Sequence, residues 1–348
     1  MEQKNINNPL LQLLNRPAFL VKDGIILQAN ELAQQRFIHT GSPISEYLTQ
    51  DLEAYNQFTD GCLFLSVSIM DLPCSAAVTK MEGYDLFLLD NLADNTRQAL
   101  ALAAQQLREP LNVIFSVAEE LNNRKASSQI NHGLNQMHRI ICNMADISRY
   151  DARMMLQLAP TDVTSVFAES VEKARTLVKT AGIKLDYTAL PQLVISMADR
   201  EMLERAVYNL VSNAVKFSNK GDTISAKLER KGKMMHFTLQ DNGEGIPPEI
   251  MDTIFFRYLR EPGIEDSRHG LGLGLALVCS IAACHNGTVL ITQPETGGTR
   301  ITMTMAISPC ADQELHAPVR LPISNYAGGH DLGLLELSEV LPYSAYKQ

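Results

Sequence analysis

Two asparagines four residues apart, Asn209 and Asn213, lie on a stretch with helical periodicity, Asn209-Leu-Val-Ser-Asn213-Ala-Val-Lys216. That spacing sets both amides on one side of a helix. An amide carbonyl is a hard oxygen ligand, suited to Mg²⁺ that keeps most of its waters and bridges phosphates. Lys216, almost a turn further on, brings positive charge towards the same phosphates. Asp241 ends a strand-like run and opens Asp241-Asn-Gly243-Glu-Gly245-Ile-Pro247. A carboxylate there can accept a hydrogen bond from an exocyclic amine, while Gly243 and Gly245 allow a tight turn and close approach of a flat ring. Next comes Ile254-Phe255-Phe256-Arg257-Tyr258-Leu259-Arg260, whose aromatics read as packing and whose Arg260 can add charge. Last, Gly270-Leu-Gly272-Leu-Gly274-Leu-Ala276-Leu277 opens an apolar helix, and backbone N–H groups at such a start can meet phosphate. This G-x-G-x-G is not the dinucleotide fingerprint, and no Gly-Lys-Ser/Thr loop occurs. Singly, the asparagines read as solvated helix residues or caps and the glycines as loop punctuation. Together, in this order within about seventy residues, they point to a bound nucleotide.

These groups need a scaffold. Residues 160–308 read as an α/β domain. It has a helix over Val163 to Ala181 stopped at Gly182, and strands over Ile183–Tyr187, Leu193–Ser196, Ile224–Arg230, Met234–Asp241, Thr288–Thr292 and Thr299–Ile307. Residues 92–155 read as two helices, with Leu107, Leu111, Ile114, Ala118 and Leu121 on one seam and Ile130, Leu134, Met137, Ile141 and Met144 on the other. The short polar connector from Asn122 to Ser128 predicts antiparallel packing, and a four-helix bundle formed by two chains would hide both seams. Residues 1–91 read as a small α+β unit: Ala18 to Asn30 gives strand, Asp23-Gly24 turn and strand, a polar helical stretch follows, and Cys62–Met70, Ala76–Met81 and Tyr84–Leu89 are strands. The tail, 309–348, is loop-like to Gly329 and then carries an apolar-acidic run, Leu332 to Leu341.

On these motifs residues 160–308 resemble the ATP-binding domain of sensor histidine kinases, a Bergerat-type α/β sandwich. The resemblance makes Asn209 and Asn213 the N box with Asn213 the Mg²⁺ ligand, Asp241, Gly243 and Gly245 the first glycine box, Phe255 to Arg260 the F box, and Gly270, Gly272 and Gly274 the second glycine box. It implies ATP and Mg²⁺ as ligands, with Lys216 and Arg260 on the nucleotide. The helical segment resembles the family's dimerisation and phosphoacceptor hairpin, and the Pro17-Ala-Phe-Leu-Val opening with Asp23-Gly24 and Ala29-Asn30 resembles a PAS sensor domain. The fold class is therefore α+β and multidomain. The implied partners are a second copy (or another sensor kinase) and a response-regulator receiver domain.

One motif departs from that pattern. The family's hairpin carries His-Glu/Asp-x-Arg-x-Pro-Leu, whose His attacks the γ-phosphate while the neighbouring acid takes its proton. Here the segment reads Gln105-Gln106-Leu107-Arg108-Glu109-Pro110-Leu111. A glutamine nitrogen has its lone pair delocalised into the carbonyl, so Gln105 cannot attack phosphorus usefully and Gln106 cannot act as a base. The leading expectation is a pseudokinase that binds ATP and signals through conformation. The alternative is an active kinase using His132 or His138, at the start and middle of the second helix. A Ser/Thr kinase or ATPase of the same ATP fold would need a carboxylate base where Asn209 stands.

The 348 residues carry a formal charge of −9, with 45% hydrophobic and 20% charged side chains, which argues against a general nucleic-acid surface. Six scattered cysteines form no CxxC pair and read as buried thiols. The start, Met1-Glu-Gln-Lys-Asn, is no signal peptide, and no run reaches the roughly 18 apolar residues of a membrane span. The expectation is a cytoplasmic protein without membrane insertion.

Overall fold

A computed structural model describes residues 10–48, 51–70, 72–89, 106–107, 110, 113–114, 124–150, 157–247, 273–308 and 331–346. The N-terminal unit runs α1 (Leu10–Leu13), β1 (Ala18–Lys22), β2 (Ile25–Ala29), α2 (Glu31–Gln34), α3 (Leu52–Gln57), β3 (Cys62–Ile69), β4 (Leu72–Met81) and β5 (Tyr84–Leu89). Asp23 and Gly24 both take positive φ, 51° and 78°, the twist that a two-residue hairpin needs. Asn30 caps α2 by accepting from Ala33 N–H and ties it to the sheet by also accepting from Ala18 N–H. The strands pair antiparallel in the order β2-β1-β5-β4-β3. Alternation sorts their side chains: Phe19, Val21, Phe87 and Val78 fill one face beneath the helices. Leu20, Phe64, Ala77 and Leu88 face the other way and join the core of the second unit.

That second unit contains β6 (Ala159–Asp162), α5 (Val163–Val178), β7 (Lys184–Thr188), β8 (Ile195–Ala198), α6 (Arg200–Phe217), β9 (Thr223–Lys231), β10 (Met234–Gln240), α7 (Leu273–Cys284), β11 (Val289–Thr292) and β12 (Arg300–Ala306). Before it lies α4 (Arg124–Tyr150) and after it α8 (Leu332–Glu336) with a closing 3-10 turn at Tyr343–Tyr346. Asp162 caps α5 by accepting from Thr164 and Ser165 N–H, and Gly182 at φ 81° ends its trailing 3-10 turn, as the Ala181-Gly182 stop predicts. The sheet order is β11-β12-β10-β9-β7, with β7 parallel to β9 and the rest antiparallel. Val166, Phe167, Leu203, Leu210, Val278 and Ile281 on the helices meet Ile224, Leu228, Phe237 and Met303 on the strands. The expected strands are all present; β6, which pairs with β8, is added.

The two units share one sheet. Residues Cys62, Leu63 and Phe64 of β3 pair antiparallel with Ile291, Leu290 and Val289 of β11, making ten strands continuous. Gly61, at φ 89°, is required at that junction, because a Cβ there would stand 2.0 Å from the Ile291 carbonyl oxygen.

The helix α4 begins at Arg124, so the connector expected over Asn122 to Ser128 is largely helical. Its polar residues do not break the helix because Ser128 and the following turns are packed. His132 consequently lies well inside the helix instead of at its start. Gly133 faces the preceding segment: a Cβ there would meet Ile114 Cγ1 at 3.3 Å and the Pro110 carbonyl at 3.4 Å. Among the described side chains of α4, Ala126, Ser128, His132, Arg139, Ile140 and Asn143 are buried, while Leu134 of the expected seam is 48% exposed. Among the described residues, no helix is long and apolar enough to cross a membrane.

Candidate nucleotide site

Helix α6 carries both asparagines. Asp199 starts it, accepting from Met202 N–H, and Lys216 lies in its last turn, the end where positive charge suits the helix dipole. Asn209 is fully buried and Asn213 half-buried on the same side. The start of α7 lies directly on them: a Cβ at Gly274 would sit 2.8 Å from Asn209 Oδ1 and 3.8 Å from Asn213 Oδ1. Only glycine permits that approach.

Asp241 follows β10 and is buried. Its Oδ1 accepts from Gly243 N–H at 2.9 Å and from Thr299 N–H at 3.0 Å. Burial pushes its pKa up, and those two backbone hydrogen bonds oppose the rise. A Cβ on Gly243 would stand 2.1 Å from the Phe217 carbonyl oxygen at the end of α6, and one on Gly298 would stand 2.1 Å from the Asp241 carbonyl oxygen. Backbone thus packs on backbone around Asp241, and the carboxylate is fixed next to the end of the asparagine helix. Gly245 turns the chain at φ 80°.

The helix after Gly274 ends at Cys284. Asn286 at φ 52° stops it, with Gly287 N–H bonded back to the Ala282 carbonyl. His285 Nε2 accepts from Asp199 N–H at 3.2 Å, and its Nδ1 donates to the Ile281 carbonyl at 2.8 Å. The two partners fix the neutral tautomer and join the end of α7 to the start of α6. Burial depresses the His285 pKa.

The sequence gives little hint of what covers α6. The stretch from Asp331 to Tyr346 docks on it, with Asp331 capping α8 and pairing with Lys173 of α5 at 2.9 Å. Glu336, with no exposed surface, accepts from Arg205 Nε at 2.9 Å, Asn209 Nδ2 at 3.1 Å and Arg139 Nε at 3.3 Å. Asn209 Nδ2 also donates to the Arg205 carbonyl, and its Oδ1 accepts from Arg139 Nη2 at 3.3 Å. Glu339 lies 2.5 Å from Lys216 Nζ and 3.0 Å from Arg139 Nη1. Burial alone would raise the Glu339 pKa, but Arg139 and Lys216 outweigh it and bring it down to about 2. Tyr343 and Tyr346 close edge-on over His132, with ring centroids at 4.8 and 5.0 Å. That histidine, an expected alternative acceptor, is buried among the tail's own residues, which blocks approach to its ring.

Of the expected site residues the structure brings together Asn209, Asn213, Lys216 and Gly274, with Asp241, Gly243 and Gly245 beyond the C-terminal end of the same helix. Gln105, Arg260, Gly270 and Gly272 lie outside the described residues. Gln106 is helical and half-buried. Arg139, Arg205, Glu336 and Glu339 were not among the expected residues. Arg205, one turn before Asn209 on the same face, and the paired acids of the Leu332–Leu341 run were the available signals.

The sequence profile of the histidine kinase-, DNA gyrase B-, and HSP90-like ATPase family matches residues 198–309. These residues hold Asp199, both asparagines, Asp241 and the glycines described above. The chain is a relative of the sensor histidine kinases and carries their Bergerat-type ATPase domain. It is 31% identical over 208 residues to Sensor protein KdpD of Clostridium acetobutylicum, covering 56% of this chain and 23% of that protein. It is 26% identical over 238 residues to Sensor-like histidine kinase SenX3 of Mycobacterium tuberculosis, covering 65% of this chain and 58% of that one. The chain therefore spans less than two thirds of the length of these relatives. Among solved structures, the mycobacterial sensor histidine kinase MprB is 30% identical, covering 44% of this chain and 99% of that chain with a TM-score of 0.37.

Proposed function

We propose that the ATPase domain binds ATP with Mg²⁺ and that the chain is a pseudokinase of two-component signalling, in which nucleotide acts through conformation. The observation that carries the nucleotide reading is Asp241. Its carboxylate is immobilised by Gly243 and Thr299 N–H groups, walled by glycines that exclude any Cβ, and set beyond the end of the asparagine helix. Such a group can accept from the adenine amine. The residues also fit the rest of the ligand: Asn213 offers an amide oxygen for Mg²⁺, and Lys216 together with the glycine-rich start of α7 suits phosphate. When bound, the metal-triphosphate supplies concentrated negative charge between the hairpin and the ATPase domain. Arg260, Gly270 and Gly272 are assigned to the same ligand by their motifs.

The pseudokinase reading rests on Gln105 and Gln106, neither of which can act as nucleophile or base. The β2-β1-β5-β4-β3 order of the N-terminal unit supports a PAS sensor domain, and its direct pairing with β11 supports a short route from sensor to ATPase domain. The contact of Gly133 with Pro110 and Ile114 supports the helical hairpin, and the exposure of Leu134 leaves its seam open to a second copy or another sensor kinase. A response-regulator receiver domain is the proposed downstream partner.

Incubating the purified chain with γ-labelled ATP tests this reading. The expected result is bound nucleotide with no acid-labile label on the protein. Label that survives in wild type and disappears in a His138→Ala variant would establish an active kinase instead.

A further inference from the structure

The nucleotide residues are already occupied by the chain's own C-terminus. Lys216, assigned above to phosphate, and Asn209, of the same nucleotide motif, are held by Glu339 and Glu336. Behind them stand two more cations, Arg139 from the hairpin helix α4, paired with both carboxylates, and Arg205 from the same helix as Lys216, paired with Glu336. Arg205 has no exposed surface and Arg139 nearly none. Two carboxylates here meet three cations, in a cluster built from three separate parts of the chain.

This arrangement constrains what can happen when the tail leaves. Separating buried ion-pair partners is costly, so lifting α8 alone would strip the Glu336 and Glu339 carboxylates from Arg139, Arg205 and Lys216 at a penalty. A ligand that brings negative charge to the same place removes that penalty. A metal-bound triphosphate on Asn213 and Lys216 is such a ligand, and it needs the position that Glu339 fills. Arg139 is the only one of the three cations on α4, so exchanging tail for phosphate also changes what holds α4 to the ATPase domain.

We propose that Arg139, Arg205, Lys216 and Asn209 form one anion site with two mutually exclusive ligands, the tail carboxylates of Glu336 and Glu339 and the phosphates of ATP. This deepens the nucleotide reading and rests on it. The tail is then an intramolecular competitor, and nucleotide binding is reported to the hairpin as release of the 331–346 segment. By linkage the effect is reciprocal: whatever loosens the tail tightens ATP binding.

The test uses the full chain and Mg-ATP. Affinity is measured by calorimetry for wild type, Glu339→Gln, and the Glu336→Gln/Glu339→Gln pair. Hydrogen exchange of residues 331–346 is measured in wild type with and without saturating Mg-ATP. The competent fraction of wild type is small when the tail is docked, so the variants should bind at least about tenfold tighter. The 331–346 amides of wild type should lose protection as ATP saturates. Glu339→Gln guards against misfolding of the pair, because Glu339 is partly exposed, and the exchange measurement needs no variant at all. Equal affinities together with unchanged tail protection on ATP binding would overturn the competition and leave the nucleotide site standing. Failure of every form, including the variants, to bind Mg-ATP would overturn the nucleotide reading itself, and the competition with it.

Discussion

Replacing Glu336 by Gln is the sharpest probe of the polar cluster beneath the tail. The carboxylate accepts from three donors, Arg205 Nε, Asn209 Nδ2 and Arg139 Nε, all buried. Glutamine keeps the shape but offers one carbonyl oxygen. If that oxygen stays with Arg205, the new NH₂ faces the Asn209 amide and the Arg139 guanidinium, donor against donor. Two buried guanidinium groups also lose the counter-charge of Glu336. Neutralising one member of a buried ion pair costs about 3–5 kcal/mol. At tenfold for each 1.4 kcal/mol, the open form of the tail should become more populated by roughly a hundred- to a few thousandfold. Hydrogen exchange reads this directly at Leu337 and Leu341, whose N–H groups bond to the Gly333 and Leu337 carbonyls. Asp331→Asn is the control. It removes only the Lys173–Asp331 pair, both of whose side chains are about two-fifths exposed, and it keeps a capping side chain. An exposed pair is worth about 0–1 kcal/mol, so exchange should quicken less than about tenfold. An effect of Glu336→Gln no larger than that of Asp331→Asn would refute the buried cluster.

Three other outcomes follow from the geometry. Gly243→Ala or Gly298→Ala should each weaken Mg-ATP binding about ten- to a hundredfold in calorimetry, the cost of misplacing one hydrogen bond to a charged group, since either Cβ would collide with a backbone oxygen beside Asp241. Acid should destabilise the chain in two windows. The depressed pKa values of His132 and His285 mean that the unfolded chain binds protons first, so their contribution is present above about pH 6.5 and is lost as pH falls below it. The Glu339 contribution is likewise present above its ordinary value of 4.5 and is lost as pH falls towards 2. Urea titrations of wild type and His285→Gln from pH 7 to pH 5 should show a steeper loss in wild type. Gly61→Ala should break the β3–β11 pairing, seen as faster amide exchange at Val289 to Ile291 with β3–β4 exchange unchanged.

Much of the ATPase domain is legible in the sequence because local signals agree with the final packing. Asp162 and Asp199 cap the helices they precede, Gly182 stops a helix, and alternating apolar residues mark β9 and β10. The glycines around Asp241 are legible as a motif, although only the structure gives their reason, the carbonyl oxygens of Phe217 and Asp241. The union of the N-terminal and ATPase sheets is not legible. An edge strand carries no local mark of which other edge it will meet. The polar residues that α4 buries are not legible for a related reason. Ser128, His132, Arg139 and Asn143 are buried: the tail brings carboxylates to Arg139 and aromatic rings to His132, and Asn143 accepts from Arg205. Polar residues are read as solvated unless their partners are known, and here the Glu336 carboxylate that meets Arg139 lies 197 positions away. Separation in sequence, 127 positions between Asn209 and Glu336, likewise hid the engagement of Asn209 and Lys216 by Glu336 and Glu339.

The central claim is that residues 198–309 hold a working nucleotide site. Mg-ATP binding to the full chain, measured beside an Asn213→Ala variant and an Asp241→Asn variant of unchanged fold, tests it most directly. The account predicts saturable binding to wild type, lost in Asn213→Ala and sharply weakened in Asp241→Asn. Binding of equal affinity in all three would contradict it.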